Sequence, residues 1–427
     1  MNNNSKIPIF LQRGRIGTFL SVVCAGQFAY SSFEALKGSL MLPLTQAIGI
    51  DLTQFSYMMS MLGLATFLYV PGGWVNNRFP IRTILVTWLS WRMVTGLAIY
   101  LIPGLSFKVM IAIAVTWGIW DAIGWPAVPN GVAFASRESN EKGKGLAMGL
   151  LESIRRALEF GMNIIIIAML AIWKDKAVQI VKWMGVLYTL IIIPNILAIL
   201  KYVPKNEIAH SDGFGGDNVA ALKGLLVALS KPQIWLAGIA GLCVYWGYMN
   251  LIYCSAPYIT LVYGASDAVA GTFGIINTGL LGILAGVIAG SLSDYVFKTS
   301  TRMLGISLLV VAIGVALVRF MPGNGNMWGS MVLLMVMSIG VFMGKSVLMA
   351  PIAELNLPES INGSAMSVGS FLVYASIFWA PAWNAKLIES NPDPRVGYEK
   401  IFMITMVVAL VGAACSFLLI KGTKKQS

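Results

Sequence analysis

An apolar run between residues 145 and 172 carries four charged side chains at helical spacing. Glu152, Arg155, Arg156 and Glu159 occupy positions i, i+3, i+4 and i+7, so an α-helix places all four on one face. Charged groups at membrane depth are costly in contact with lipid, so this face must meet water or charged partners. Two interpretations stay open. Either the glutamates pair with the arginines into a neutral scaffold, or an arginine binds an anionic group of a ligand through paired hydrogen bonds.

Two carboxylates lie in other apolar runs. Asp121 sits near the centre of the run 108–134, and Glu34 sits in the outer part of the run 16–38. A carboxylate inside a span is a functional candidate by default, either as a protonation site or as a counter-ion. In the second case the partner of Asp121 would be one of the two arginines above. We take both carboxylates as candidate proton-coupling residues and interpret Arg92, in another run, as structural.

Composition predicts the elements that position these side chains. The chain has 427 residues, of which 57% are hydrophobic and 11% charged, with a mean hydropathy of +0.76. A soluble domain carries roughly 25% charged residues, and a helix needs about 20 apolar residues to span a bilayer. The apolar runs predict an all-α membrane protein of twelve transmembrane helices in two six-helix bundles. The runs are 16–38, 54–75, 82–102, 108–134, 145–172, 178–203, 233–262, 268–293, 302–321, 327–351, 363–385 and 401–421.

The distribution of charge predicts how the chain lies in the membrane. Residues 204–231 are polar and glycine-rich, which is typical of a cytoplasmic linker between bundles at 1–203 and 232–427. If both termini are cytoplasmic, basic residues are more numerous in the cytoplasmic loops than in the opposite loops, as the positive-inside rule requires. The net charge of +12 is therefore interpreted as a topology signal, and it predicts no nucleic-acid partner.

Short glycine-containing motifs relate the two halves of the chain. Parallel repeats of six spans are typical of transporters whose substrate site lies near the membrane midplane between two rocking bundles. The segments 26–30, 73–77 and 145–149 recur as 241–245, 290–294 and 363–367, at offsets of 215, 217 and 218 residues.

The second half carries fewer charges inside its spans. Shifting Arg155 and Arg156 by 218 residues reaches Val373 and Tyr374, and Lys345 lies toward the cytoplasmic end of its run. Aromatic and amide groups suit a hydroxyl-rich ligand through ring packing and hydrogen bonds. The predicted substrate-binding residues of both halves are Tyr30, Arg155, Arg156, Tyr245, Tyr248, Asn250, Lys345 and Tyr374.

The loop 73–82 resembles a signature of the major facilitator superfamily, in which a glycine precedes an acid or asparagine and then arginines. Its second copy at 290–302 keeps the glycine, the acid and two basic residues. A small glycine lets helices approach closely, and a carboxylate at a helix end can pair with loop cations. The resemblance implies that such contacts break during the transport cycle. The predicted gating residues are Gly73, Asn77, Arg78, Arg82, Gly290 and Asp294.

Within that superfamily the chain resembles two neighbouring families. The tripeptide 124–126, the segment 30–43 and the loop 290–302 look like those of organophosphate–phosphate antiporters. That family binds phosphate with arginines on the first and seventh spans, where this chain has Ala35 and Tyr248. The same resemblance aligns Arg155 with a histidine close to the substrate, which implies that the fifth span faces the cavity.

The chain also looks like the anion–cation symporters, which carry sugar acids with protons. That family has an acid nine residues before a proline on the first span, as Glu34 precedes Pro43, and an acid on the fourth span that matches Asp121. Its arginine next to the first acid is replaced by Ala35. The resemblance therefore implies that the arginines of the fifth span contact the anion instead.

These observations predict a bacterial inner-membrane transporter of a small organic solute, by alternating access. A sugar acid or other sugar-derived anion taken up with protons is the preferred substrate class, and a monomer in the lipid bilayer is the expected functional unit. The four cysteines and His210 lack metal-ligand spacing and no nucleophile arrangement is present, so we expect no cofactor, no metal and no enzymatic activity. A multidrug–proton efflux transporter and a solute-binding membrane sensor are the alternatives.

Overall fold

The computed structural model of the chain describes residues 9–36, 40–76, 78–136, 141–208, 226–297, 299–320, 326–355, 357 and 359–424. Within those ranges the chain is helical, apart from turns and one isolated β-bridge between Pro80 and Ile208. The predicted all-α class is thereby confirmed.

The helices follow the apolar runs of the sequence closely. Those of the first half are α1 (Ile16–Ser31), α2 (Met41–Ile48), α3 (Leu52–Leu62), α4 (Leu64–Asn76), α5 (Ile81–Leu101), α6 (Phe107–Ala135), α7 (Glu141–Ile172), α8 (Ala177–Leu190) and α9 (Ile192–Tyr202). Those of the second half are α10 (Pro232–Tyr263), α11 (Asp267–Gly274), α12 (Leu281–Ser291), α13 (Ser300–Phe320), α14 (Met327–Ser346), α15 (Ala350–Ala353), α16 (Glu359–Tyr374), α17 (Ser376–Glu389) and α18 (Pro394–Lys424). Two π-helical turns, Ile275–Leu280 and Leu292–Phe297, flank α12.

Among the described residues, eight helical stretches are long and apolar enough to cross a membrane. These are Ile81–Leu101, Phe107–Ala135, Ala177–Tyr202, Pro232–Tyr263, Asp267–Ala285, Ser300–Phe320, Met327–Ile352 and Pro394–Gly422. The other four predicted spans correspond to α1, to α3 with α4, to α7, and to α16 with α17. Of these, α1 has only 16 residues, α7 carries the charged face, and the two pairs are interrupted at Gly63 and Ala375. Each of the twelve predicted spans therefore has a helical counterpart.

The first predicted span is helical only over α1, and residues 32–36 after it form turns. Such a helix end leaves backbone carbonyls without helical N–H partners. The hydroxyl of Tyr100 donates to the Ser32 carbonyl, and the side-chain amide of Asn163 donates to the Ala35 carbonyl. Because side chains of α5 and α7 satisfy these carbonyls, non-helical backbone is tolerated in a buried segment.

Helices α4 and α6 approach closely beside a proline. Pro126 has no N–H, so the Ala122 carbonyl lacks its usual helical donor. The backbone of Gly72 on α4 lies against this carbonyl, where any Cβ would clash. One turn further along α4, the side-chain amide of Asn76 donates to the Ile123 carbonyl at 2.8 Å. These contacts fix the segment of α6 that carries the fourth-span carboxylate.

The chain forms two compact units, and α3 belongs to the second one because it packs on α17. The hydroxyl of Ser60 accepts a hydrogen bond from the backbone N–H of Ala382 at 3.1 Å, and Gly63 lies against the backbone of Phe378. Chain order alone predicts α3 with the first bundle. The units are Met1–Leu36, Gln46–Gly49 and Leu68–Gly215, and Lys37–Thr45, Ile50–Phe67 and Gly216–Ser427.

One glycine contact is repeated in each unit. Gly26 on α1 lies against the side chain of Arg155 on α7, and Gly241 on α10 lies against Val373 on α16. The glycines are 215 residues apart and their partners are 218 apart. The first and fifth spans of each half therefore make a corresponding contact within each unit, as an internal repeat requires.

Candidate functional site

A cluster of charged side chains is buried inside the first unit. Nη1 of Arg92 on α5 contacts Oε1 of Glu34 at 2.6 Å, and Nη2 contacts Oδ2 of Asp121 on α6 at 2.6 Å. Nε of Arg92 also donates to Oδ1 of Asp121 at 3.3 Å, so this second pair is bidentate. The side chains of Arg92, Glu34 and Asp121 are only 2%, 8% and 9% exposed. One guanidinium thus joins two carboxylates in the interior.

Asp121 accepts a further hydrogen bond from Trp88, whose Nε1 lies 2.9 Å from Oδ1. Trp88 and Arg92 are four residues apart on α5, so both project from one face of that helix. Gly124 makes this arrangement possible, because a Cβ at that position of α6 would clash with the Trp88 ring. Both oxygens of Asp121 therefore have hydrogen-bond donors from α5.

Aromatic rings enclose the Arg92 guanidinium. Its Cζ lies 4.6 Å from the centre of the Trp117 ring and 5.1 Å from the centre of the Tyr30 ring. Trp117 is in turn fixed by a hydrogen bond of 2.8 Å from its Nε1 to the hydroxyl of Thr95. Cation–π contacts of a desolvated guanidinium are favourable, so these rings contribute to the stability of the cluster.

Glu34 lies in the turns after α1, and its two oxygens differ. Oε1 accepts from Arg92, whereas Oε2 is buried and has no hydrogen-bond partner among the described residues. Two ionised carboxylates and one guanidinium give two negative charges and one positive charge, a net charge of −1. A buried oxygen without a donor and an uncompensated charge are both costly in a protein interior.

The two arginines of α7 are placed differently. Arg155 donates from Nε to the Gly26 carbonyl at 3.0 Å, and its Cζ lies 4.4 Å from the centre of the Trp125 ring. Arg156 pairs with Glu159 at 3.2 Å, and both side chains are 30% exposed. The side chain of the fourth member of the predicted face, Glu152, lies outside the described residues. Arg156 thus matches the interpretation of internal pairing, while Arg155 stacks on an indole ring.

Tyr30 lies between the buried cluster and Arg155. Its ring is 5.7 Å from that of Trp88 and 6.3 Å from that of Trp125, edge-on in both cases. It therefore contacts residues that hold Asp121 on one side and the ring under Arg155 on the other. Sequence reasoning assigned Tyr30 to substrate binding, and the structure places it between these two groups.

The second unit brings together four of its predicted substrate-binding residues. Nζ of Lys345 on α14 lies 3.6 Å from the centre of the Tyr248 ring on α10. Tyr245 packs against Tyr248 at 5.3 Å and edge-on against Tyr374 of α16 at 4.9 Å. Phe342 lies 5.9 Å from Tyr248. We call these five residues the lysine–tyrosine cluster; it presents a cation on an aromatic wall.

Asn250, the other predicted substrate-binding residue of the second half, lies elsewhere. It is 1% exposed, donates to the hydroxyl of Thr405 on α18 and accepts from the amide of Asn384 on α17 at 2.6 Å. Its side chain is thus part of a packing network among α10, α17 and α18, apart from the lysine–tyrosine cluster.

The predicted gating residues lie at helix ends. Arg78 and Arg82 flank the start of α5, and the backbones of Gly73 and Gly290 are helical within α4 and α12. Asp294 falls in the second π-helical turn. The side chain of Asp294 and all of Asn77 lie outside the described residues. The gate therefore stays a prediction.

Arg92 is the partner of Asp121 that sequence reasoning did not identify. It was interpreted as structural, and the counter-ion of Asp121 was expected on α7. The structure pairs Asp121 with Arg92 of α5 instead, because α5 packs beside α6 and turns one polar face toward it. The signal was present in the sequence as Trp88, Arg92 and Thr95, which share the spacing i, i+4 and i+7. Among the described residues, no group of three or more His, Cys, Asp or Glu side chains could hold a metal ion.

Comparison with known proteins assigns the family. The model of the family described as Major Facilitator Superfamily matches residues 23–381. This chain belongs to the major facilitator superfamily. It is 24% identical over 413 residues to the inner membrane protein YihN of Escherichia coli (strain K12), and the match covers 94% of each chain. Membership and the apolar helices indicate a multi-pass membrane transporter, and this relative is a bacterial inner membrane protein.

Solved transporter structures share the fold of this superfamily member. A bacterial homologue of the human lysosomal transporter Spinster matches with a TM-score of 0.72 at 13% identity, covering 97% of this chain and 98% of that one. A D-xylose–proton symporter matches with a TM-score of 0.72 at 13% identity, covering 95% and 97%. The nucleoside transporter NupG matches with a TM-score of 0.70 at 10% identity, covering 95% and 99%. At these identities the likeness shows the fold alone.

Proposed function

We propose that this transporter moves a small organic anion together with protons, and that Glu34, Arg92 and Asp121 form its proton site. The observation that carries the proposal is a guanidinium between two buried carboxylates, one of which has an oxygen without a hydrogen-bond partner among the described residues. With both acids ionised, the three groups hold a net charge of −1 in a low-dielectric interior. Because a proton removes that charge, protonation and the packing of the first unit are linked.

Cations on aromatic surfaces support an anionic, hydroxyl-rich substrate. Arg155 stacks on Trp125 in the first unit, and Lys345 lies over Tyr248 in the second. A cation binds a carboxylate or phosphate group, while aromatic rings pack on the body of a sugar and their hydroxyls bind its hydroxyl groups. A sugar acid or sugar-derived anion combines these features. The D-xylose–proton symporter shares the fold, and its name states that it couples a sugar to protons.

The remaining proposals concern the layout of the chain. Both termini lie in the cytoplasm, residues 204–231 link the bundle of 1–203 to that of 232–427, with α3 packed in the second unit, and the monomer is the functional unit. The loops 73–82 and 290–302 break and re-form contacts during alternating access. The excess of basic residues in the proposed cytoplasmic segments and the glycines of the two loops support this layout.

Proteoliposomes that contain a pH-sensitive dye test the proposed coupling. Aldonates and uronates are added outside as probes, and the expected result is acidification of the lumen that is absent from empty liposomes. The Asp121→Asn variant is expected to lose the acidification. Asp267→Asn is the matched control, because Asp267 starts α11 in the other unit and is expected to behave as the unmodified protein. Intact acidification with Asp121→Asn would show that Asp121 is not a coupling residue.

The same liposomes distinguish the alternative of multidrug efflux. Tetraphenylphosphonium serves as a lipophilic cation, and we expect it to cause no proton movement, since it lacks the anionic group that the proposed site binds. Proton movement with this cation and with none of the organic anions would contradict the proposal and favour multidrug–proton efflux.

Lys345 provides the test of the substrate half of the proposal. Lys345→Met is expected to raise the KM for an organic anion about tenfold, since a hydrogen bond to a charged group contributes about 1.5–3 kcal/mol. Lys345→Arg is expected to keep most of the affinity, because it keeps the charge. Lys386→Met, at an exposed lysine of α17, is the control. An unchanged KM for Lys345→Met would remove this residue from the site.

A further inference from the structure

We infer that the Glu34–Arg92–Asp121 cluster takes up one proton and no more, and that this proton resides on Glu34. The inference rests on the proposed function and specifies the number of protons coupled to each transport cycle. Two acids on the first and fourth spans would suggest two protons. The buried guanidinium changes that number, because it always compensates one of the two carboxylates.

The hydrogen bonds of the cluster identify the acid that is protonated. Asp121 accepts from Nε and Nη2 of Arg92 and from Trp88, so both of its oxygens are engaged as a carboxylate. Glu34 uses only Oε1, toward Nη1 of Arg92, and its buried Oε2 has no partner. A proton on Oε2 removes the excess negative charge and leaves every hydrogen bond of the cluster in place. A proton on Asp121 would instead disturb its bidentate contact with Arg92.

Among the described residues, the other titratable groups near the cluster do not change this charge count. On α1, Tyr30 presents its ring to Arg92, and on α5 the hydroxyl of Tyr100 donates to a backbone carbonyl. On α8 the hydroxyl of Tyr188 also donates to a backbone carbonyl, that of Met162. A hydroxyl that donates carries its proton and is neutral. On α7, Arg155 is separated from the cluster by the rings of Trp125 and Tyr30.

The number of protons determines the electrical character of transport. The proton binds to Glu34 from one side of the membrane and leaves to the other side, while Asp121 stays ionised beside Arg92. A monoanionic substrate moved with one proton carries no net charge across the membrane. A dianionic substrate moved with one proton carries one net negative charge.

Infrared spectroscopy of the purified protein counts the protons without any substrate. A protonated carboxyl group has a C=O band that is separate from the carboxylate bands. The spectra are recorded between about pH 5.5 and 9, where exposed carboxyl groups remain ionised. The double variant Glu34→Gln/Asp121→Asn, which lacks both acids, supplies the baseline spectrum. The double variant Arg92→Gln/Asp121→Asn keeps Glu34 as the remaining acid of the cluster and supplies the intensity of a single carboxyl group.

The unmodified protein is expected to gain the intensity of one carboxyl group as the pH falls. Glu34→Gln and Asp121→Asn are each expected to gain none, because Arg92 neutralises the acid that remains. Arg92→Gln is expected to gain two. An intensity of zero or two in the unmodified protein would overturn the inference, as would a band that persists in Glu34→Gln. If Arg92→Gln does not fold, the unmodified protein and the two single acid variants still decide whether the cluster takes up a proton only when both acids are present.

The outcome is independent of the transport assay. One protonated carboxyl group, together with a rate of uptake that does not depend on an imposed proton gradient, would refute the proposed function and leave the proton count intact. Uptake driven by a proton gradient together with two protonated groups would refute the count and leave the function.

Discussion

Replacement of Arg92 by glutamine is expected to destabilise the first unit more than any other substitution in the cluster. The change removes two contacts of 2.6 Å to carboxylates and a third hydrogen bond of 3.3 Å. Loss of one partner of a buried ion pair costs about 3–5 kcal/mol, because it leaves a buried charge without compensation. Here two carboxylates lose their partner at once, so we expect the upper part of that range.

Glu34→Gln is the informative comparison for this prediction. It leaves the bidentate pair of Arg92 and Asp121 intact, and the glutamine oxygen can still accept from Nη1. Glutamine removes the excess negative charge, but its amide N–H₂ replaces Oε2 at a buried position without an acceptor among the described residues, so the expected cost is about 1–3 kcal/mol. Arg319→Gln is the surface control, because its pair with Glu399 is 3.6 Å long and about one-third exposed. Exposed pairs contribute about 0–1 kcal/mol.

Thermal unfolding in one detergent, followed by tryptophan fluorescence, ranks these variants. Trp88 and Trp117, two of the thirteen tryptophans, lie at the cluster, so part of the emission reports on this part of the fold. The expected order of melting temperatures is unmodified protein, Arg319→Gln, Glu34→Gln and then Arg92→Gln. A melting temperature of Arg92→Gln equal to that of Arg319→Gln would refute the argument that the buried charges depend on the guanidinium.

Two further predictions concern the helices around the cluster. Gly72→Ala is expected to cost about 1–3 kcal/mol or to prevent stable expression, because its Cβ would overlap the Ala122 carbonyl. The control is Gly161→Ala, at a glycine of α7 with open space around it, which is expected to be neutral or stabilising. Equal behaviour of the two variants would contradict the packing argument. Trp88→Phe keeps the ring and removes the N–H donor to Asp121, so melting is expected to show a loss of about 1.5–3 kcal/mol, and an unchanged melting temperature would mean that this hydrogen bond contributes nothing.

The fold was predictable because each span is a long apolar run, and composition identifies such runs directly. What the sequence did not predict are local departures from the α-helix. Residues 32–36 were predicted as part of the first helical span, yet the Ser32 and Ala35 carbonyls accept hydrogen bonds from side chains of α5 and α7. No sequence pattern in α1 predicts those partners. Likewise the hydroxyl of Thr278 donates to the Gly274 carbonyl inside a π-helical turn, which apolar composition cannot reveal.

The candidate site was predicted in part. Glu34 and Asp121 stood out because a carboxylate in an apolar run is unusual and costly. Arg92 was equally unusual, but a single sequence does not tell which neighbouring helix an arginine faces, and the counter-ion was predicted on the charged face of α7. The spacing of Trp88 and Thr95 around Arg92 pointed toward one polar face of α5. Which helix receives that face depends on tertiary packing.

The proton site is tested most directly by comparing two modes of transport in the Glu34→Gln variant. Proteoliposomes are loaded with an organic anion that the unmodified protein accepts, and both exchange of this anion across the membrane and its accumulation under an imposed proton gradient are measured. Because glutamine mimics the protonated acid, exchange is expected to continue while proton-driven accumulation is lost. Accumulation at the rate of the unmodified protein would contradict the assignment of Glu34 as the residue that carries the proton.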